Sequence, residues 1–421
     1  MTPKLLTTLR AYSWPLFQAD LLAGVTVGLV ALPLSLAIAI ASGATPAQGL
    51  ITAIIGGLLV SLLGGSRVQI GGPTGAFIVV VYGVIAEHGM EGLILATLMA
   101  GAILLIAGFL RAGSLVALVP EPVINGFTLG IAVIIATSQL ADALGLTVEA
   151  MPAEFIGKVE ALWAARATLH WPALALTVAT AVLIVAMRAK LPPKVPGLII
   201  AVALGSALAA LPGSGIDTVG GRFGALPSQL AAPRLPALSF ETFRELLPSA
   251  LVIAFLAGVE SLLSAVVADR MSGGRHRPRA ELIAQGAANI GSGLFGGLPV
   301  TGAIARTATN VKAGGRTPVA GLVHALTILA VMLLAAPFAG YLAMPAMAAL
   351  LILTAWNMSE PDKWKGYITG PRQDALLIFL TMALTVLVDL TVAIGVGVAL
   401  GFALRRRARP GSREDWTPRD K

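Results

Sequence analysis

The stretch Gly71-Gly72-Pro73-Thr74-Gly75-Ala76-Phe77 recurs in the second half of the chain as Gly297-Leu298-Pro299-Val300-Thr301-Gly302-Ala303-Ile304. Both copies share a Thr-Gly-Ala core, and in both a Gly/Pro-broken segment runs into a short apolar stretch. A second pair, Ala23-Gly24-Val25 and Ala257-Gly258-Val259, repeats at nearly the same offset. What these repeats mean depends on the solvent around them. Of 421 residues, 57% are apolar and 12% charged, against about 25% charged in an ordinary soluble domain. Apolar runs of around 20 residues recur along nearly the whole chain, each long enough to cross a bilayer as a helix. The fold class is therefore an all-α, multi-pass membrane protein.

Working outward from the repeats, about 14 membrane segments are expected: 20–42, 46–63, 70–86, 92–110, 116–140, 171–188, 195–211, 246–268, 280–296, 299–313, 316–336, 339–357, 372–388 and 390–404. The stretch 142–170 carries Asp142, Glu149, Glu154, Lys158, Glu160 and Arg166, and reads as an amphipathic helix on one membrane surface. The Pro- and Gly-rich stretch 211–244 reads as a loop. With the N-terminus in the cytoplasm, one set of alternate loops holds Arg67, Arg111, Arg188, Lys190, Lys194, Arg270, Arg275, Arg277, Arg279, Lys312, Arg316, Lys363, Lys365, Arg372 and the basic tail from Arg405. About 23 of the 29 Lys and Arg then lie inside, which supports the span count and puts both termini in the cytoplasm of a cell inner membrane. The net charge of +8 is thus mainly a topology signal, and no nucleic-acid partner is expected. The first apolar run is too long for a signal-peptide core and no A-x-A cleavage site follows it.

Seven spans separate the two copies of the repeat. An odd number inverts the second copy, an architecture of many secondary transporters, here with repeat one at about 1–211 and repeat two at about 245–404. Non-helical backbone at membrane depth must be buried in protein or line a cavity. The broken segments are accordingly expected to be half-helices in spans 3 and 10, starting near the midplane at Thr74 and Thr301. A helix N-terminus presents free N–H groups and about half a positive charge, so two such ends would make an anion site. Ordinary kinked helices with glycine for packing are the competing account.

Arg306 follows Thr301 by five residues, about 7.5 Å along a helix. A cation there is disfavoured by the dipole and by the membrane, and both costs fall beside a bound anion. A structural pair with a carboxylate is the alternative. Glu260 stands mid-span in Phe255-Leu-Ala-Gly-Val-Glu260-Ser261-Leu-Leu-Ser264. Such a carboxyl can bind and release a proton, or, with Ser264 one turn away, offer oxygen ligands to sodium. A fixed pair with Arg306 is the bland account. There is no cysteine, and His88, His170, His276 and His324 are scattered, so neither a metal site nor a cofactor is expected. No Walker motif appears, so ATP-driven transport would need a separate subunit, and no convincing nucleophile–base pair or metal cluster supports a membrane enzyme.

Three stretches carry a family resemblance: Asp20-Leu-Leu-Ala23-Gly24-Val-Thr26-Val27-Gly28 with Pro33; Gly65-Ser66-Arg67-Val-Gln-Ile-Gly71-Gly72-Pro73-Thr74; and Ala305-Arg306-Thr307-Ala-Thr-Asn310-Val-Lys-Ala-Gly314-Gly315-Arg316-Thr317-Pro318. They resemble the sulfate-permease (SulP), solute carrier 26-like family, over nearly the whole chain. The resemblance implies a core domain of spans 1–4 and 8–11 that moves against a gate domain of spans 5–7 and 12–14, together spanning 1–404. It implies an anion site between spans 1, 3, 8 and 10, with Arg306 as the span 10 arginine and Glu260 as the acidic position of span 8. The residues expected at the substrate are Pro33, Leu34, Gly72, Thr74, Gly75, Ala76, Phe77, Thr301, Gly302, Ala303, Ile304 and Arg306, with Glu260 and Ser264 for the coupling ion, H+ or Na+.

Two departures stand out. Many members have Gln after the span 1 proline, where this chain has Leu34, so sulfate does not follow by analogy. Members usually carry a cytoplasmic STAS domain after the last span, where this chain runs only through Arg405–Lys421, read as a basic tail without that domain. The expectation is a secondary active transporter of small anions (sulfate, bicarbonate or a dicarboxylate such as fumarate), most simply by proton-coupled symport. Its partners are the anion, the bilayer and a second copy in a homodimer. The rivals are a nucleobase permease of the same fold and a passive anion channel.

Overall fold

The computed structural model describes the chain except residues 1, 111–119, 150, 153, 193–194, 210–213, 231, 237–238, 389 and 408–421. Arg111, Lys194 and the tail beyond Arg407 lie outside the described residues. The rest is almost wholly helical: α1 (Trp14–Ala41), α2 (Pro46–Leu63), α3 (Gly75–Phe109), α4 (Glu121–Leu144), α5 (Phe155–Ala164), α6 (Trp171–Lys190) and α7 (Gly197–Ala209). The second half adds α8 (Phe240–Ser272), α9 (Pro278–Leu294), α10 (Ile304–Ala313), α11 (Pro318–Ala339), α12 (Met344–Met358), α13 (Arg372–Leu387) and α14 (Leu390–Arg407). Among the described residues seven helices, α1 to α4, α6, α8 and α11, are long and apolar enough to cross a membrane.

Local chemistry sets many of the starts. Proline stands in the first two positions of α1, α2, α4, α6, α9, α11 and α12, where its missing N–H costs nothing. Thr45 and Gln48 form a reciprocal capping box at α2. The expected spans 70–86 and 92–110 are joined in α3, but Gly89 breaks it with φ 67° and ψ −172°, so two helical pieces meet there. The surface helix expected over 142–170 is broken up: among the described residues, 142–144 end α4 and Phe155–Ala164 forms a separate α-helix, with Lys158 buried over the Tyr82 ring at 4.6 Å. Burial pushes the Lys158 ammonium below its ordinary pKa.

The two broken segments meet. Gly71-Gly72 (β1) and Thr301-Gly302 (β2) pair antiparallel, Gly71 with Gly302 and Gly72 with Thr301. This corrects the expected start of the second half-helix. Thr301 is strand, because its backbone is pairing with Gly72, and the helix begins at Ile304 behind Ala303. The first half-helix does start at Thr74, whose extended backbone precedes a turn at Gly75–Phe77 and then the helix proper.

A buried polar frame holds this crossing. The Asn289 amide grips Val300 from both sides, accepting from its N–H at 2.9 Å and donating to its carbonyl at 2.8 Å. Asn310 donates to Val68 O at 2.8 Å. The fully buried Glu281 carboxylate accepts from Gly65 N, Ser66 N, Gln69 Nε2, Ser261 Oγ and Gln285 Nε2. Asp20, equally buried, accepts from the N–H groups of Arg316 and Thr317 and from Tyr12, tying α1 to the start of α11. Irregular backbone at this depth is cut off from bulk water, so buried side chains supply its partners.

Packing sorts the helices into two sets. In one, α3 lies along α9 and α8, and α1 lies along α11. In the other, α4 lies along α13, α6 along α7 and α12, and α13 along α14. Small residues set both contacts: Gly24 and Gly28 admit α11, and Gly126 and Gly130 admit α13.

Candidate functional site

Between the two sets lies a cavity of about 1330 Å³. One end is closed by the crossing of the broken segments. There Thr74, Gly75 and Ala76 from the first half-helix face Ala303, Ile304 and Arg306 from the second, with Leu34 of α1 and Glu260 of α8 beside them. Both helix starts therefore turn their free N–H ends to the same space, which favours negative charge. The opposite wall comes from the other set and is mixed, with Phe127 and Ile131 of α4, Leu350 of α12 and Ile394 of α14 beside the polar Asn125 and Thr128 of α4 and Thr354 and Asn357 of α12. The cavity extends to Arg188, Arg270 and Lys312, near the C-terminal ends of α6, α8 and α10, and to Lys363, all four from the basic set that the sequence places on one side.

Arg306 is 2% exposed. Its Nη2 donates to Ser35 Oγ and to Pro73 O, each at 3.1 Å, so it ties α1 and the first half-helix to the second. Gly72 is required here by close approach, since a Cβ would strike Nη1 of Arg306. Glu260 accepts from Thr74 Oγ1 at 2.9 Å. Among the described residues no carboxylate lies within 4.0 Å of Arg306, so the ion pair with Glu260 considered from sequence is not formed. The Arg306 guanidinium and the Glu260 carboxyl both line the cavity's end, each held by neutral partners.

Not every expected site residue reaches the cavity. Pro33, Gly72, Phe77, Thr301 and Gly302 are buried behind its lining. Thr301 donates to Ala257 O at 3.0 Å, and Gly302 packs against Gln69, whose amide occupies the place of a Cβ. Ser264 is fully buried and donates to Thr307 Oγ1 at 3.3 Å, away from Glu260. Sequence reasoning missed Ser35, Gln69, Glu281, Asn289 and Asn310. Ser35 carried a signal, as a polar residue inside an apolar run, and such residues in membrane helices mark interior contacts; the other four stand among further polar or small residues and carried none. Among the described residues no group of three or more His, Cys, Asp or Glu is placed to hold a metal ion.

A helical membrane protein with a cavity at crossed half-helices between two packed helix sets is a transporter architecture. The sulfate permease family matches residues 17–381, and the chain belongs to that family. YvdB of Bacillus subtilis, provisionally named a sulfate transporter, is 43% identical over 401 residues, 94% of this chain and 75% of the relative. The bicarbonate transporter BicA of Picosynechococcus is 33% identical over 393 residues, 90% of this chain and 69% of the relative. The transmembrane domain of a cyanobacterial BicA superposes with a TM-score of 0.81 at 32% identity, over 91% of this chain and 98% of that one. The murine solute carrier 26 family member A9 anion transporter shares the fold, with a TM-score of 0.86 at 18% identity over 96% of this chain and 71% of that one. The chain is thus a membrane transporter and not an enzyme.

Proposed function

We propose that this protein is a secondary active transporter of small anions, sulfate, bicarbonate or a dicarboxylate such as fumarate, coupled to protons through Glu260. The observation that carries this is the convergence of two half-helix N-termini and Arg306 on one cavity end, with Glu260 hydrogen-bonded to Thr74 across it. The relatives named for sulfate and bicarbonate transport support an anion as the solute. Leu34 at the cavity offers no hydrogen bond to a dianion, so bicarbonate stands beside sulfate as a first substrate to try.

The proposed cycle moves one helix set against the other. In the direction given by the positive-inside rule, the end with Arg188, Arg270, Lys312 and Lys363 faces the cytoplasm, so the cavity is open inward. Gly75 lies against Ile135 and Met358 of the opposing set, and this contact is where the sets must slide. The coupling ion in this reading is the proton, with sodium as the alternative to be tested beside it.

The test is uptake of radiolabelled sulfate, bicarbonate and fumarate into proteoliposomes, with and without an inward proton or sodium gradient. Accumulation driven by a proton gradient is the expected result and names the substrate. Downhill currents without accumulation would make the protein a channel. Uracil uptake without anion uptake would make it a nucleobase permease.

A further inference from the structure

Behind Arg306, on the side away from the cavity, three buried side chains carry polar atoms without a protein partner. They are Nε and Nη1 of Arg306, both ring nitrogens of His324 and Oγ of Ser61. Their residues are 2%, 0% and 4% exposed. They come from three helices, α10, α11 and α2, and small residues bring them to one seam. Ala53, Gly57 and Ser61 follow at intervals of four along one face of α2, which loosens into a π-helical turn at Thr52–Gly56. The Arg306 guanidinium abuts the Gly72 backbone beside Ala53. A Cβ on Gly57 would lie 3.4 Å from His324 Cε1, 3.5 Å from its Nδ1 and 3.0 Å from Gly71 O. A Cβ on Gly321, one turn before His324, would strike Ser61 Oγ. Guanidinium, imidazole and hydroxyl therefore succeed one another along α2, covered by the paired Gly71-Gly72 backbone.

Chemistry narrows what can fill the seam. Guanidinium nitrogens only donate, while a neutral imidazole has one donor and one acceptor, and a hydroxyl does both. A buried polar group left unpaired is costly, so these atoms need partners. None of these atoms has a hydrogen-bond partner among the described residues, so they do not bond one another directly, and one bridging water suits each step. Buried water in folded proteins sits at such polar pockets, with two to four partners each.

We infer that this seam is a binding site for about two ordered waters, one between Arg306 and His324 and one between His324 and Ser61. His324 and Ser61 are then positioning residues. Through water they fix the face of the guanidinium that Ser35 and Pro73 do not hold, and keep Arg306 aimed between the half-helices.

The test is an experimental structure of the full chain in lipid nanodiscs, in a map that resolves ordered water elsewhere in the core. Density is expected within about 2.7–3.2 Å of Arg306, a His324 ring nitrogen and Ser61 Oγ. A direct hydrogen bond from His324 to a protein group, or a dry seam, would overturn the inference. A second arm rests on the anion-binding reading and uses whichever of sulfate and bicarbonate the wild type binds. His324→Leu is expected to weaken that affinity about tenfold, and His324→Gln, which can still hold water, by less than about threefold. Equal loss in both variants, or none in either, would overturn the positioning role. Should His324→Leu fail to fold, Ser61→Ala in the same map is expected to lose the outer water while keeping the inner one; both remaining would refute the site. The density arm does not depend on the solute, so failure of the anion reading and failure of the water site are distinguishable.

Discussion

The Gly72→Ala substitution tests the arrangement at Arg306 without touching a charge. A methyl group at Gly72 has no space, because Nη1 of Arg306 fills it. The guanidinium is rigid and planar, so displacing Nη1 also swings Nη2, which holds Ser35 Oγ and Pro73 O at 3.1 Å each. Hydrogen bonds to a charged group are worth about 1.5–3 kcal/mol each. Losing the equivalent of one at the anion site is about tenfold in affinity, and losing both about a hundredfold or more. Bicarbonate and sulfate binding to the purified protein, by calorimetry or by solid-supported membrane currents, should fall by that range. The control is Gly83→Ala in α3, where a Cβ meets nothing within 4 Å and alanine suits the helix better. A folded Gly72→Ala protein that binds as tightly as wild type would refute the reasoning, since Arg306 would then have been free to move without consequence.

Glu260→Gln keeps the hydrogen-bonding shape and removes the ionisable group, so anion binding should persist while uptake ceases to respond to a proton gradient in proteoliposomes; uptake still driven by that gradient would exclude Glu260 as the coupling site. Ser264→Ala should leave both proton and sodium dependence unchanged, because its hydroxyl serves Thr307 within the helix packing. A changed sodium response would put Ser264 back in an ion site. Asp20→Asn removes the charge that accepts from Arg316 N at 2.8 Å and Thr317 N at 3.1 Å, and should cost about 1.5–3 kcal/mol, seen as earlier thermal unfolding in detergent with anion affinity little changed.

Composition and run length made the all-helical membrane fold legible, because a bilayer admits few alternatives to a helix. The broken segments were legible for the same reason: Gly-Gly-Pro-Thr and Gly-Leu-Pro-Val-Thr are poor helix, so their presence at membrane depth demanded a special environment. The placement of Thr301 was not. The sequence could not show that Gly71-Gly72 and Thr301-Gly302 pair, since two strands of two residues have no periodicity to read. The surroundings of Ser264 were hidden for a related reason. Spacing put it on the Glu260 face of α8, but Thr307 on α10 approaches that face and takes the hydroxyl. The frame of Glu281, Asn289 and Asn310 is visible only after the fold is known, because each side chain serves backbone far away in sequence.

An arginine in the first turn of a helix stands where the dipole disfavours it, and here two helix ends share its space. Each end carries about half a positive charge, Arg306 a full one, and Glu260 a negative one when ionised. The sum at the cavity end is about +1 with Glu260 ionised and about +2 with it protonated. A monovalent anion balances the first state and a divalent anion the second. On the proposed function, a proton on Glu260 therefore accompanies sulfate or fumarate for electrostatic reasons, without direct contact between proton and substrate being needed. Thr74 is suited to this coupling, because its hydroxyl can donate to the carboxylate or accept from the carboxylic acid, so the hydrogen bond survives the change of state. Glutamine at this position fixes the site near the +2 state, which is why the substitution is expected to retain dianion binding and lose only the response to protons.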